Sequence, residues 1–218
     1  MILVPIKNLQ HAKQRLAPVL EAGERSALAQ AMMDDVFTAL AQWRNHPPVA
    51  VVTGDALARE RARDHGFEII ADGSNRGETD AIALATQACQ ARGVGWTLVV
   101  PADVPLVQSP EFEHILQAAP PEGTVLVPSC DGRGTNAVLR RPAALFPLRF
   151  GDDSFLPHRR AAEATGKPLT VLELPGLALD VDRPADLHAL LMAEGECRAQ
   201  RLLRSWNLGE RLVAAHHA

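Results

Sequence analysis

The apolar positions of this chain form short β-branched runs, separated by longer stretches in which they recur every three or four residues. The runs predict strands at Ile2–Ile6, Val49–Thr53, Glu68–Ile70, Thr97–Pro101, Thr124–Pro128, Ala137–Arg140, Leu169–Leu174 and Ala178–Val181. Between the first two, Leu28, Met32, Val36 and Leu40 repeat at every fourth position, which is one face of a long helix. Further helices are predicted at Asp55–His65, Glu78–Ala91, Pro110–Ala118, Phe155–Thr165 and Pro184–Leu203. Strands alternating with helices of this length give βαβ units, hence a mostly parallel, mixed sheet with helices on both faces. The rhythm fails after Thr124, where two strands flank a glycine turn with no room for a helix. That predicts an antiparallel insertion around residues 124–142, placed on one edge of the sheet. No linker or repeat divides the chain. The reading is one α/β domain over residues 1–194, with a C-terminal helical extension over 195–218.

Composition narrows the class. The 218 residues are 47% apolar and 22% charged, enough to build a core without disulfides or a structural metal. A net charge of −4 gives no general attraction to nucleic acid or anionic membrane. Only 4% of residues are aromatic, with no tyrosine, so base-stacking platforms are not expected. No apolar run approaches the roughly 20 residues a bilayer demands, and no leader pattern opens the chain. Cys89, Cys130 and Cys197 are odd in number and far apart, as in a reducing cytosol. A soluble cytoplasmic protein is expected.

Ligands of open α/β sheets collect beyond the carboxyl ends of the strands, which directs attention to the polar residues there. Lys7, Lys13 and Arg15 follow the first strand and enter a helix. They are either an ordinary solvated turn or a cradle for a polyphosphate. Without glycine, the turn is neither a Walker loop nor a dinucleotide fingerprint. Asp103 ends a buried apolar strand between Pro101 and Pro105. It is either a turn or capping aspartate or a ligand for a divalent cation such as Mg²⁺. Asp180 and Asp182 alternate with apolar residues and would share one side of an extended segment. Asp182 could also cap the helix starting near Pro184. Together the three aspartates form a candidate metal cluster.

The glycine turn Gly132-Arg133-Gly134-Thr135-Asn136-Ala137 contains G-x-G-x-x-A, but a strand follows it and not a helix, so it is no dinucleotide motif. It either joins two strands or brings backbone and the Thr135 hydroxyl to an anion. Phe150-Gly151-Asp152-Asp153-Ser154 opens a helix carrying His158-Arg159-Arg160, with Ser154 as N-cap or as part of an anion site beside those cations. Cys130 reads as a small packed residue and the adjacent His216 and His217 as solvated. No G-x-S-x-G, Cys-x-x-Cys or His-x-x-x-His signature is present.

In order and spacing these segments resemble the guanylyltransferases of deazaflavin coenzyme F-420 biosynthesis, which act on 2-phospho-L-lactate, phosphoenolpyruvate or 3-phospho-D-glycerate. The resemblance is carried by Val4-Pro5-Ile6-Lys7, Ala12-Lys13 with Arg15-Leu16-Ala17, Asp103-Val104-Pro105-Leu106 and Gly132–Asn136. It continues in Phe150-Gly151 with Ser154-Phe155, and in Leu179-Asp180-Val181-Asp182 with Pro184-Ala185-Asp186-Leu187. It implies a single nucleotidyltransferase domain, Rossmann-like and glycosyltransferase-A-like, that moves GMP from GTP to a phosphorylated three-carbon acid. Asp103, Asp180 and Asp182 would then hold Mg²⁺, and Thr135, Gly151 and Ser154 the acid. Lys7, Lys13, Arg15, Gly77 and Asp80 would meet the nucleotide, with Lys13, Arg15 and Asp103 at the reacting phosphates. The chain departs from the family at Arg76-Gly77-Glu78-Thr79-Asp80, where a Gly-Leu-Asn motif is expected.

Two other classes share parts of this pattern. Other transferases of this fold, acting on sugar phosphates or a molybdenum cofactor precursor, open with a glycine-rich Arg-Met-Gly loop that is absent here. A non-catalytic nucleotide-binding regulator would not need the acidic trio. The first half of the apolar Pro184–Leu203 stripe is expected to pack on the protein's own sheet. The second half, continued by Leu212-Val213-Ala214, is docked, frayed or held by a partner chain, with a homodimer as the expectation.

Overall fold

The computed structural model describes residues 1–73, 77–209 and 211. Arg76, Leu212–Ala214, His216 and His217 therefore lie outside the described residues. The elements follow in order β1 (Ile2–Ile6), α1 (Ala22–Gln42), β2 (Val49–Thr53), α2 (Ala56–Asp64), β3 (Glu68–Ala71), α3 (Glu78–Ala91), β4 (Thr97–Val99) and α4 (Ser109–Ala118). Then come β5 (Gly123–Pro128), β6 (Thr135–Arg141), α5 (Phe155–Glu163), β7 (Leu169–Val171), α6 (Pro175–Ala178), α7 (Pro184–Met192) and α8 (Arg198–Ser205). One seven-stranded sheet has the order β3-β2-β1-β4-β6-β5-β7. Its pairs are parallel except those of β6, which runs antiparallel to both β4 and β5.

Side chains alternate across the sheet and so divide the core. Ile2, Val4 and Ile6 face Met33, Phe37 and Leu40 of α1. Leu3, Val99 and Val138 face Ile82 and Ala85 of α3 and Ala162 of α5. Burial on both faces explains why these strands read as continuous apolar runs. β1 leads to β2 and β3 on one side, and β4 lies on the other. The order of connection therefore reverses between β1 and β4, a switch point at which a crevice opens beyond the carboxyl ends. The Val99↔Val138 register places the start of β6 at that same end, level with residues 101–102.

The fold departs from the sequence pattern in three places. The antiparallel strand is not on an edge: β6 is inserted between β4 and β5, and β7 forms the edge, because β5 still offers a free side to Leu169–Val171. Ala178–Val181 is not a strand. A short helix, α6, ends there and an extended stretch follows, tied to the neighbouring loop by Val181 N–H donating to the Asp103 carbonyl at 3.1 Å. Pro184–Leu203 is not continuous either: it breaks at residues 193–197, where Gly195 takes φ +94°, a conformation no helix continues.

After the break α8 returns to α1. Asp35 of α1 accepts from the N–H groups of Arg198 and Ala199 at 2.8 and 2.9 Å, capping α8 from another element. Ala199, Leu203 and Leu208 complete a third core group with Leu28 and Met32. The described part of the extension is thus docked on its own chain. No helix among the described residues is long and apolar enough to cross a membrane.

Candidate active site

The turn after β1 carries Lys13, and its backbone is strained there: φ is +55° and ψ +43°, a left-handed conformation that a bulky side chain seldom adopts. The strain delivers the ammonium into the crevice. Lys13 Nζ donates to Asp103 Oδ2 at 2.6 Å and to Asp182 Oδ1 at 2.9 Å, with its side chain only 9% exposed. Burial alone would lower its pKa, but the two carboxylates outweigh burial and hold it above the ordinary lysine value. Two of its three protons are committed, and one remains for a ligand.

Arg15 continues the line. Its guanidinium donates to Asp182 Oδ2 at 3.1 Å and to both oxygens of Asp152 at 2.8 and 3.0 Å, so it joins the acidic segment to the loop before α5. Burial would raise the Asp182 pKa, yet Lys13 and Arg15 keep it below the usual range. Asp182 does not cap α7, since Asp186 supplies that bond to Arg183 N–H at 2.6 Å. Asp180 is held by Asn136, whose Nδ2 donates to Asp180 Oδ1 at 3.0 Å and to the carbonyls of Leu177 and Ala178. Gly176 is required just before it, because a Cβ there would meet the Glu111 carboxylate and the Leu106 carbonyl.

Two cavities meet at this cluster. One, of about 500 Å³, is walled by Ser129–Asn136 of the β5–β6 turn, Phe150–Ser154 and the Asp180–Asp182 segment. The other, of about 420 Å³, is walled by Pro5–Arg15 with Asp72 and Ala81. Arg15, Glu78, Pro101, Asp103 and Asp182 line both. Lys7 lines the second cavity. Gly77 and the exposed Asp80 are not among the residues described as lining either.

The structure does not assemble the three aspartates as one ligand set: among the described residues no group of three or more His, Cys, Asp or Glu is disposed to hold a metal ion. The physical reason is Lys13, which stands between Asp103 and Asp182 as their cation. What does fit a divalent ion is narrower. Asp103 Oδ1 is buried and lacks a hydrogen-bond partner among the described residues. Burial pushes the neighbouring Asp180 above the ordinary range, and the Asp103 charge adds to that. An orphaned carboxylate oxygen beside a repelled carboxylate is a hard-oxygen pair that a cation would relieve.

In the first cavity Thr135 and Ser154 are both buried, and Ser154 Oγ donates to Thr135 Oγ1 at 3.3 Å. Ser154 caps nothing. Its backbone is already helical, so its hydroxyl turns to β6. Gly151, with φ +133°, lets the loop pass the cavity in a conformation suited to glycine. Cys130, expected to be packed, is exposed on the wall, where partial loss of solvent and the charges of Asp180 and Asp131 push the thiol up.

Three residues escaped the sequence reading. Asn136 looked like part of a turn, Glu78 like a helix start, and His158 like one of several cations. Burial, helped by the Asp103 charge, pushes Glu78 up to about 7. Next to it Thr79 accepts from Phe150 N–H at 3.0 Å and so clips α3 to the loop before α5. His158 is 1% exposed, and burial, then the Arg140 charge, lower it to about 4.

A stability prediction follows from His158. Its ordinary pKa is 6.5 and its folded value about 4, so between these pH values the unfolded chain takes a proton that the folded chain refuses. Stability is full above 6.5 and is lost as pH falls toward 4, by on the order of 2–3 kcal/mol. Denaturant titrations at pH 7 and pH 4.5 should show that loss, and His158→Gln should show much less of it.

A cationic strand-to-helix turn and an acidic strand end face each other across a switch point, with a cavity on either side. Fold and site together define an α/β nucleotidyltransferase. A structure described as a nucleotide-diphospho-sugar transferase, from Desulfovibrio desulfuricans G20, superposes with a TM-score of 0.78 over 98% of this chain and 96% of its own, at 18% identity, a likeness of fold alone. Sequence carries the relation further. The chain belongs to the family described as guanylyl transferase CofC like, whose match spans residues 1–213. Its relatives include the phosphoenolpyruvate guanylyltransferase of Roseiflexus castenholzii, 36% identical over 94% of this chain and 93% of that protein. The 2-phospho-L-lactate guanylyltransferase of Methanothermobacter thermautotrophicus is 33% identical over 93% and 88%.

Proposed function

We propose that this protein transfers the guanylyl group of GTP to the phosphate of a small three-carbon acid, 2-phospho-L-lactate, phosphoenolpyruvate or 3-phospho-D-glycerate, as a cytoplasmic step of coenzyme F-420 biosynthesis. The observation that carries this reading is the pair of cavities sharing Arg15, Asp103 and Asp182, one for each substrate of a group transfer. GTP is assigned to the cavity of the β1 turn, where Lys7, Lys13 and Arg15 supply positive charge. The acid is assigned to the cavity of Thr135, Gly151 and Ser154.

An oxygen of the acceptor phosphate attacks the α-phosphorus, the bond from that phosphorus to the bridging oxygen breaks, and pyrophosphate leaves. A phosphomonoester is already mostly dianionic at neutral pH, its second pKa being about 6, so no general base is needed. Lys13 offers its remaining proton to the phosphates, and Arg15 neutralises charge next to Asp182. The chain's contribution is alignment and electrostatics. Asp103 and Asp180 would hold Mg²⁺, which supplies Lewis-acid stabilisation of the phosphates when bound. Pyrophosphate release from GTP and Mg²⁺ with each acid in turn tests the reading. Release with one of the three is expected. Release only with a sugar phosphate, or none with any acceptor, would favour the rival transferase or the binding protein.

The acceptor assignment has its own check. Thr135→Ala should raise the acid's KM by about 5- to 100-fold, the cost of a buried hydrogen bond to an anion. Ser154→Ala, which loses the bond that holds the Thr135 oxygen, should raise it less, and both should leave the KM for GTP near its starting value. Ser154→Ala should barely change the melting temperature, because no helix cap is lost. Equal losses for both substrates would contradict the assignment.

A homodimer is proposed for the tail alone, since α8 is already satisfied by α1. A chain ending at Gly209 keeps α8. It should have half the solution mass of the full chain, and an unchanged mass would remove the tail from the interface.

A further inference from the structure

His158 stands behind the acceptor cavity without lining it, and the reading of its role rests on the assignment of the acid to Thr135 and Ser154. The backbone N–H of Arg149 points at His158 Nε2 at 2.9 Å. A backbone amide can only donate, so Nε2 is the bare, accepting nitrogen. A neutral imidazole must then carry its proton on Nδ1. Nδ1 lies 3.0 Å from Thr135 Oγ1, and the bond therefore runs from histidine to threonine. Ser154 Oγ reaches the same oxygen. The Thr135 oxygen is occupied as an acceptor from the protein side, and its own proton has no acceptor in the imidazole.

We propose that His158 is a positioning residue for the acceptor: by fixing its tautomer against Arg149 N–H, it forces Thr135 to present its hydroxyl proton to the anionic group of the acid. The opposite tautomer would let Thr135 spend that proton on Nδ1. Burial that keeps the ring neutral, and Phe150 set edge-on to it with ring centroids 5.1 Å apart, lock the arrangement. This ties the loop before α5 to β6, so the two walls of the cavity share one hydrogen-bond chain.

The test uses the full-length protein and two substitutions of the imidazole. Gln keeps an acceptor near Nε2 and loses the donor at Nδ1, whereas Asn keeps a donor near Nδ1. His158→Gln should raise the acid's KM roughly tenfold, one hydrogen bond's worth, with the KM for GTP unchanged. His158→Asn should restore most of the difference. In a Thr135→Val background His158→Gln should add nothing, because the hydroxyl it orients is gone. A merely structural histidine predicts the same tenfold loss in both backgrounds, or equal losses for both substrates, and either result overturns the proposal. If Thr135→Val alone leaves the acid's KM unchanged, the placement of the acid in this cavity falls, and the role of His158 falls with it. Independently of activity, the ¹⁵N spectrum of histidine-labelled protein should show the proton of His158 on Nδ1; a proton on Nε2 overturns the proposal outright.

Discussion

Asp103→Ala should lower guanylyl transfer by ~10²–10³-fold or more, the cost of removing one preorganised electrostatic element at a reacting phosphate. Folding should survive. Asp103 Oδ1 has no partner among the described residues, and Oδ2 holds only Lys13, which keeps Asp182 at 2.9 Å when Asp103 is gone. The backbone carbonyl of residue 103, which accepts from Val181 N–H, is untouched by the change. Asp180→Ala should behave similarly, since Asn136 retains its bonds to the carbonyls of Leu177 and Ala178. Steady-state rates with Mg²⁺ beside a thermal melt decide the matter. Near-normal turnover in either variant would remove that carboxylate from the chemistry.

The second large effect is expected at Lys13. Lys13→Met removes the cation between Asp103 and Asp182 and leaves two facing carboxylates, so transfer should fall by ~10²–10³-fold. Asp182, now held low by Lys13 and Arg15, should titrate at a higher pH in the variant. Lys13→Gly separates charge from backbone strain. Glycine accepts φ +55° without steric cost, and the variant should be more stable than Lys13→Met by on the order of 1 kcal/mol, while being equally inactive. Lys13→Arg should not rescue, because a planar fork does not replace a compact ammonium held between two oxygens. An active Lys13→Met would show that the lysine serves the fold alone.

The elements that local pattern controls were legible. Glu78–Ala91 appears with the ends its periodicity gave, and Asp55 caps α2 through the N–H groups of Leu57 and Ala58, as its residue type suggests. The alternation of strands with helices also yielded the parallel half of the sheet. What failed depended on partners far along the chain. The antiparallel insertion was recognised, but its place between β4 and β5 is decided by the sheet edges available to β6. The strand expected at Ala178–Val181 gave way to α6, which is fastened at its start by Glu111 accepting from Gly176 N–H at 2.8 Å. The break at Gly195 lies between leucines that share one apolar stripe, so the segment reads as a single helix.

The same division holds in the site. Lys13, Asp103 and Asp182 stand out in the sequence because charged residues at strand ends are conspicuous. That the lysine would stand between the two carboxylates was not readable, since it needs the turn geometry after β1. Ser154 reads by residue type as either a cap or part of an anion site, and its bond to Thr135, which comes from the packing of α5 against β6, is not readable from the sequence. His158 was grouped with Arg159 and Arg160 as a cation, whereas only its burial reveals a neutral ring.

Guanylyl transfer is defined by which phosphorus is attacked and what leaves. GTP carrying labels on its α- and γ-phosphates, incubated with the protein, Mg²⁺ and the preferred acid, follows both fragments at once. The α-label should appear in a diphosphate that joins guanosine to the acid, and the γ-label in pyrophosphate. An α-label that remains in GDP, with the γ-label released as free phosphate or carried by the acid, would contradict guanylyl transfer.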